Sequence, residues 1–265
     1  MYAFNYHKAS SAADAVAKLT AASDGKFLAG GMTLIPTLKQ RLASPSDLVD
    51  LGGAAELKGI REENGGLTIG AMTTHATVAA SDVVKRVIPA LAALAGDIGD
   101  AQVRNRGTIG GSVANNDPSA DYPAAVLALG ATVRTTKREI AADDYFQGLF
   151  TTALEEDELI TAIHFPKPEK AAYIKFDNPA SRYAMVGVFV ARTGGGVRVA
   201  VTGAGSDGVF RWTEAEQALS GNFSAAALDG LTVDAGGMNS DIHGSAEYRA
   251  HLVKVMAKRA VQAAG

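Results

Sequence analysis

The chain of 265 residues carries a formal net charge of −3 at neutral pH, with 47% hydrophobic and 20% charged residues, which excludes a disordered chain and allows one large or two modest globular domains. A pI of about 6.0 and basic residues that occur singly or in pairs exclude a phosphate-tracking surface for nucleic acid. With no cysteine, disulfides, cysteine nucleophiles and thiolate-held iron–sulfur clusters are excluded within the chain, and the scattered His7, His75, His164, His243 and His251 lack the close helical spacing of a metal site.

Ser11 and Asp14 have the spacing of a capping box, with Asp in the usual place of Glu, and Ala12, Ala15, Val16 and Leu19 follow at helical period. After a break at residues 23–25, residues 26–28 read as a buried strand, 29–33 as a glycine turn and 34–42 as a helix that tolerates Pro36 in its first turn. Residues 47–51 read as the next strand, so 27–51 form a compact βαβ element. The polar, glycine-rich stretch 52–66 marks a subdomain boundary, with short strands at 57–61 and 67–69. Thr74 is placed to cap a short helix, 87–95 is a helical run, and 96–106, which mixes glycine with charge, reads as loop.

The segment 108–114 follows, then polar residues 115–121, a helix at 122–129 and a strand at 131–136. An acidic turn at 155–158 leads into a strand at 159–165, ended by Pro166 and Pro168 at a second boundary. Beyond it, strands at 173–176, 184–192 and 196–202 and helices at 214–219 and 248–264 make an α+β pattern. The apolar stretches 87–95 and 122–130 are too short to span a bilayer, and Met1 to Lys8 lack the charged-then-apolar order of a secretory signal. A cytoplasmic location without a membrane span is expected.

Two glycine-rich loops, Ala29–Leu34 and Thr108–Ser112, carry the chemistry. Gly30 and Gly31 stand at a strand-to-helix junction, where glycine permits unusual dihedrals and close approach, and a helix start offers unpaired N–H groups. Thr33 adds a hydroxyl, so the segment suits an anion such as a pyrophosphate. A tight turn without a ligand explains it equally well. In the second segment, Arg106 and Gly107 lead into Thr108, Ile109, Gly110, Gly111 and Ser112, and Asn115, Asn116, Asp117, Ser119 and Asp121 follow. A carboxylate such as Asp121 can accept hydrogen bonds from ribose or ribityl hydroxyls. An Asx-rich surface loop is the plainer alternative.

The strings A-G-G-M-T-L-I-P-T-L-K, T-I-G-A-M-T-T-H and V-R-N-R-G-T-I-G-G-S-V-A-N-N-D-P-S-A-D-Y-P-A-A resemble the FAD-binding (medium) subunit of molybdenum hydroxylases, a family that includes carbon monoxide and xanthine dehydrogenases. The resemblance extends through L-I-T-A-I-H-F-P and the closing domain. It implies an α+β chain: a two-subdomain FAD-binding domain of the vanillyl-alcohol-oxidase-like type at 1–168, divided near residue 55, and a smaller α+β domain at 169–265. Leu28, Ala29, Gly30, Gly31, Met32, Thr33, Leu34 and Ile35, together with Thr108, Ile109, Gly110, Gly111 and Ser112, would hold the FAD pyrophosphate. Asp121 matches a FAD-contacting aspartate, Ile160 a position whose backbone meets the flavin ring, and Lys175 a flavin-contacting lysine. Met32 and Thr33 replace the Gln or His and the Ser of many members, so Met32 is expected to act through its backbone. Members with an iron–sulfur cluster inserted in this subunit are excluded by the absence of cysteine.

The implied function is electron relay without a catalytic residue or a metal in this chain. Electrons would pass from a molybdenum-cofactor large subunit through a 2Fe–2S small subunit to FAD, in a dimer of heterotrimers, and on to NAD, a quinone or oxygen. The alternative is a self-sufficient FAD-dependent oxidase or reductase, which needs a substrate acid or base that the sequence does not display. Arg104 and Arg106 read equally as phosphate partners, interface residues or surface arginines. His75 reads first as a hydrogen-bonded structural histidine, with approach to the cofactor as the alternative, and Tyr183 as a half-buried strand residue, with packing near the flavin ring as the alternative. Gly203, Gly205 and Gly208 spell G-x-G-x-x-G after a strand, but fewer than 60 residues remain and the next ones look extended, so a turn is expected in place of a Rossmann domain.

Overall fold

The computed structural model describes residues 1–265. Strands β1 (Asn5–Lys8), β2 (Gly25–Leu28) and β3 (Asp47–Asp50) form a small sheet in the order β1-β3-β2, with both neighbours parallel to β3. Helices α1 (Ala12–Ala21) and α2 (Leu34–Lys39) make the crossovers. The Ser11 hydroxyl accepts from the Asp14 N–H at the start of α1, as the capping spacing predicts. The predicted βαβ element is present, but β1 was not expected. Its residues are polar and mostly exposed, so hydrophobic period carries no signal there. Helix α2 stops before residue 42 because Arg41 takes a left-handed φ of 62°.

Strands β4 (Ile60–Glu63), β5 (Gly66–Gly70), β6 (Thr132–Thr135) and β7 (Glu139–Ala141) belong to a five-stranded antiparallel sheet. Between β5 and β6 the chain forms α3 (His75–Ala80), α4 (Asp82–Val87), α5 (Pro89–Gly96), α6 (Ala101–Arg106), α7 (Ile109–Asn115) and α8 (Tyr122–Ala128). After β7 come α9 (Ala142–Tyr145) and the hairpin of β8 (Phe146–Gly148) and β9 (Thr151–Thr152). Strand β10 (Ile160–Pro166) then enters the centre of the sheet between β5 and β6. Leu67, Ile69, Val133, Ile163 and Phe165 of the sheet pack with Leu91, Leu94 and Val126 of the helices in one core.

Three expectations are corrected in this region. The apolar run at 87–95 is divided, since Pro89 starts a new helix after Ile88. The supposed loop at 96–106 contains α6, capped by the Asp100 side chain, which accepts from the Val103 N–H. The glycine segment at 108–112 is not a loop: Thr108 is an N-cap and Ile109, Gly110, Gly111 and Ser112 are the first turn of α7. Glycine disfavours helix by roughly 1 kcal/mol per residue, so local propensity pointed the wrong way.

A third sheet closes the chain, with β11 (Lys170–Asp177), β12 (Ala184–Thr193), β13 (Gly196–Thr202) and β14 (Phe210–Arg211) antiparallel in sequence order. Helices α10 (Thr213–Gly221) and α11 (Ala246–Ala264) cover one face. Val186, Val188 and Val190 point to that face, while Phe189, Ala191 and Tyr173 join the core of the preceding domain. Burial on both faces explains why β12 reads as a continuous apolar run. The Gly203–Gly208 motif is a turn between β13 and β14, with the Gly208 N–H donating to the Gly205 carbonyl at 3.3 Å.

Candidate cofactor site

The three glycine-bearing strings converge on one another. Gly110 donates to the Ala71 carbonyl at 2.9 Å, Ile109 to the Thr73 carbonyl at 3.1 Å, and the His75 N–H to the Gly107 carbonyl at 3.0 Å. Gly30 lies against the same backbone, and a Cβ there would sit 2.1 Å from the Arg106 carbonyl oxygen. At Gly110 a Cβ would sit 2.5 Å from the Ala71 Cβ. Both glycines are therefore required by the approach of one segment to another, before any ligand is considered.

The two segments differ in what they offer. In the second, the N–H groups of Ile109 to Ser112 are all used: Gly111 donates to the Thr108 Oγ1 at 3.2 Å, Ser112 to the Thr108 carbonyl at 3.0 Å, and Ile109 and Gly110 as above. In the first, the N–H groups of Gly30, Gly31, Met32, Thr33 and Leu34 donate to no acceptor in the chain. Gly31, with a φ of 74°, turns the backbone there. A run of unpaired N–H groups ahead of a helix is a setting for an anion, and the Thr33 and Ser112 side chains line the same cleft.

That cleft has a volume of about 630 Å³, within the roughly 300–1,000 Å³ of small-molecule and cofactor sites. Of the residues singled out in the sequence, Ala29, Gly30, Gly31, Met32, Thr33, Leu34, Thr108, Gly110, Gly111, Ser112, Asp121 and Ile160 line it, whereas Leu28, Ile35, Ile109 and Lys175 do not. Ile109 is fully buried in the core. Tyr183 lies in the loop just before β12, not within a strand, and its half-exposed ring lines the cleft. Arg104 donates to the carbonyls of Ile98 and Gly99, both at 3.0 Å, so it closes the turn after α5.

The family described as the FAD binding domain in molybdopterin dehydrogenase matches residues 2–168, and the CO dehydrogenase flavoprotein C-terminal domain matches residues 171–264. This chain belongs to the molybdopterin-dehydrogenase flavoprotein family. It is similar to the carbon monoxide dehydrogenase medium chain of Afipia carboxidovorans, with 40% identity covering 98% of this chain and 96% of that one. It is also similar to the nicotine 6-hydroxylase medium subunit of Paenarthrobacter nicotinovorans, with 36% identity covering 99% and 98%. Among solved structures, it superposes on a chain of Cu,Mo-CO dehydrogenase in its cyanide-inactivated form with a TM-score of 0.91, 38% identity and coverage of 100% and 98%. The α+β architecture and FAD as cofactor agree with this membership.

The residues present fit such a flavoprotein's dinucleotide. The free N–H run suits its phosphates, and one buried carboxylate is available for a hydroxyl. Asp121 is 5% exposed. Burial raises its pKa, Lys175 and Tyr173 partly oppose the rise, and the balance is about 6. His75 also lines the cleft, buried against Tyr122 with ring centroids 5.3 Å apart. Burial and the Arg104 charge lower its pKa to about 4, so the ring is neutral near pH 7. Its Nδ1 has no hydrogen-bond partner in the chain, unlike the bonded structural histidine expected.

Sequence reasoning missed Tyr173, Asp97 and, beside Tyr183, residues 180–182. The loop contributes Ala180, Ser181, Arg182 and Tyr183 to the far wall of the cleft. Tyr173 had a legible signal: it stands two residues from Lys175 on one strand, so both point to the same face.

Proposed function

We propose that this chain is the FAD-holding electron-transfer subunit of a molybdenum hydroxylase complex. It would take electrons from a 2Fe–2S small subunit, itself fed by a molybdenum-cofactor large subunit, and pass them to an external acceptor. The observation that carries the reading is the cleft with its run of unpaired N–H groups at Gly30–Leu34, in a chain whose full length matches the family. Bound FAD supplies reversible two-electron storage, chemistry that side chains lack.

In this reading the N–H groups of Gly30 to Leu34 receive the pyrophosphate, and the Thr33 and Ser112 hydroxyls add donors. Met32, whose side chain is partly exposed, contributes backbone only. Leu28, Ile35 and Ile109 support these segments from behind. Thr108 holds the first turn of α7, so that Gly110, packed on Ala71, and Gly111 stand at the wall of the cleft that takes the cofactor. Asp121 accepts from a cofactor hydroxyl, the Ile160 backbone meets the flavin ring, and Lys175 belongs to the site beside Asp121.

The division into residues 1–168 for FAD and 169–265 for a closing domain, with subdomains meeting near residue 55, belongs to the same proposal. So do the dimer of heterotrimers, an acceptor drawn from NAD, quinone or oxygen, and a cytoplasmic location. No helix is long and apolar enough to cross a membrane.

The test is to purify the chain alone and with its partner subunits. The isolated chain should take up FAD without oxidising any organic substrate, and the assembled complex should reduce that flavin with substrate. Turnover of an organic substrate by the isolated chain would overturn the relay.

A further inference from the structure

Around Asp121 the geometry is asymmetric. The Tyr173 hydroxyl donates to its Oδ1 at 2.6 Å, and the Lys175 ammonium stands 3.2 Å from the same oxygen. Oδ2 accepts no hydrogen bond from the chain, and Asp121 lines the cleft. The Lys175 side chain is 1% exposed. It also donates to the carbonyls of Asp97 at 2.7 Å and Arg182 at 3.1 Å, and lies 3.4 Å from the Asp97 carboxylate. Two of its three donors are thus committed to carbonyls, and its charge is shared between two carboxylates of the chain.

A second feature makes room for this arrangement. Gly187 on β12 pairs with Lys175 on β11. A Cβ at position 187 would lie 2.3 Å from the Tyr173 hydroxyl. The missing side chain is the space through which the phenol crosses to Asp121. The backbone on either side is pinned as well. The Thr202 hydroxyl donates to the Ala120 carbonyl at 2.7 Å, and the Gly203 N–H to the Pro118 carbonyl at 2.8 Å.

We propose that Tyr173 and Lys175 are positioning residues, which occupy Asp121 Oδ1 so that Oδ2 is held as a preset acceptor for a hydroxyl of the bound dinucleotide. The closing sheet thereby takes part in cofactor binding through a carboxylate that it does not itself carry. The inference rests on the reading that Asp121 faces FAD. It assigns Lys175 a role through Asp121, in place of direct contact with the flavin.

The experiment is FAD titration of the full chain for wild type, Tyr173→Phe, Asp121→Asn and the double variant. Tyr173→Phe should weaken FAD roughly tenfold, the scale of one hydrogen bond to a charged group. In the Asp121→Asn background the same change should cost under twofold, because the two residues act as one unit. Gly187→Ala is a second probe and should reproduce the Tyr173→Phe loss by displacing the phenol.

A pH profile separates positioning from general stability. The titratable groups around Asp121 are Tyr173 and Lys175 from β11, Asp97 after α5, and Tyr122 and Tyr183. Removing the Tyr173 donor removes an influence that lowers the Asp121 pKa, so the acid limb of FAD affinity should move to higher pH. Unchanged affinity and pH profile in Tyr173→Phe and Gly187→Ala, or additive losses in the double variant, would overturn the inference. Should Tyr173→Phe fail to fold, Gly187→Ala decides alone. A wild-type chain that binds no FAD would instead overturn the reading of the site.

Discussion

At Gly30 two demands coincide in one atom's absence. A methyl group there would meet the Arg106 carbonyl, which is backbone and has little room to yield. Gly30→Ala is expected to destabilise the chain by about 2 kcal/mol, the scale of overpacking, and to abolish FAD uptake by parting the two segments. Thermal melts and flavin titration read both effects, and a variant that keeps its melting temperature and its flavin refutes this account.

Glu158 makes the pH prediction. Burial would raise its pKa, but Arg138 at 3.1 Å, the Thr135 hydroxyl at 2.6 Å and the Glu155 N–H at 3.0 Å together lower it to about 2. A carboxylate depressed in the folded state contributes stability that is present above its unfolded pKa of about 4.5 and is lost as pH falls toward the folded value. Wild type should therefore lose stability between about pH 4.5 and 2, more steeply than Glu158→Gln. Denaturant titrations at several pH values measure the difference, and equal slopes would remove Glu158 as the cause.

For the elements, caps were the most readable feature and glycine the least. Ser11 and Thr74 each cap a helix through the side-chain oxygen, a local device that needs no partner from elsewhere in the chain. Helix α7 is different. Its cap Thr108 is an ordinary choice, but its first turn contains Gly110 and Gly111, which local propensity assigns to a loop. The packing of Gly110 on Ala71 outweighs propensity there. Thr108→Ala should cost about 1 kcal/mol and loosen the turn that faces the cleft. The check compares melting temperature with FAD affinity, and a loss in neither refutes it. Strand β1 escaped prediction for a related reason: its parallel pairing with β3 arises from a partner about forty residues on, not from any alternation of its own.

Across the whole molecule, the family division near residue 170 is not a division of the core. Tyr173, Phe189, Ala191 and Ala200 of the last sheet share the core of the sheet containing β10. Arg198 reaches back to Asp143 with two bonds, at 3.0 and 2.9 Å. The chain should unfold in one calorimetric transition despite its two family units, and a fragment ending at residue 168 should show exposed apolar surface. Two separate transitions would show that the halves are independent.

By itself the sequence determined the order of the motifs and most strands, because these depend on neighbours along the chain, and the resemblance of those motifs to a known family supplied the cofactor class. Only the tertiary structure decided which glycine segment keeps its N–H groups free and which spends them on its neighbours. It alone also placed the Lys175 ammonium against Asp121, away from the cleft. Both outcomes depend on which groups from distant segments meet, and the hydrogen-bonding capacity left over for a ligand is known only after those meetings are counted.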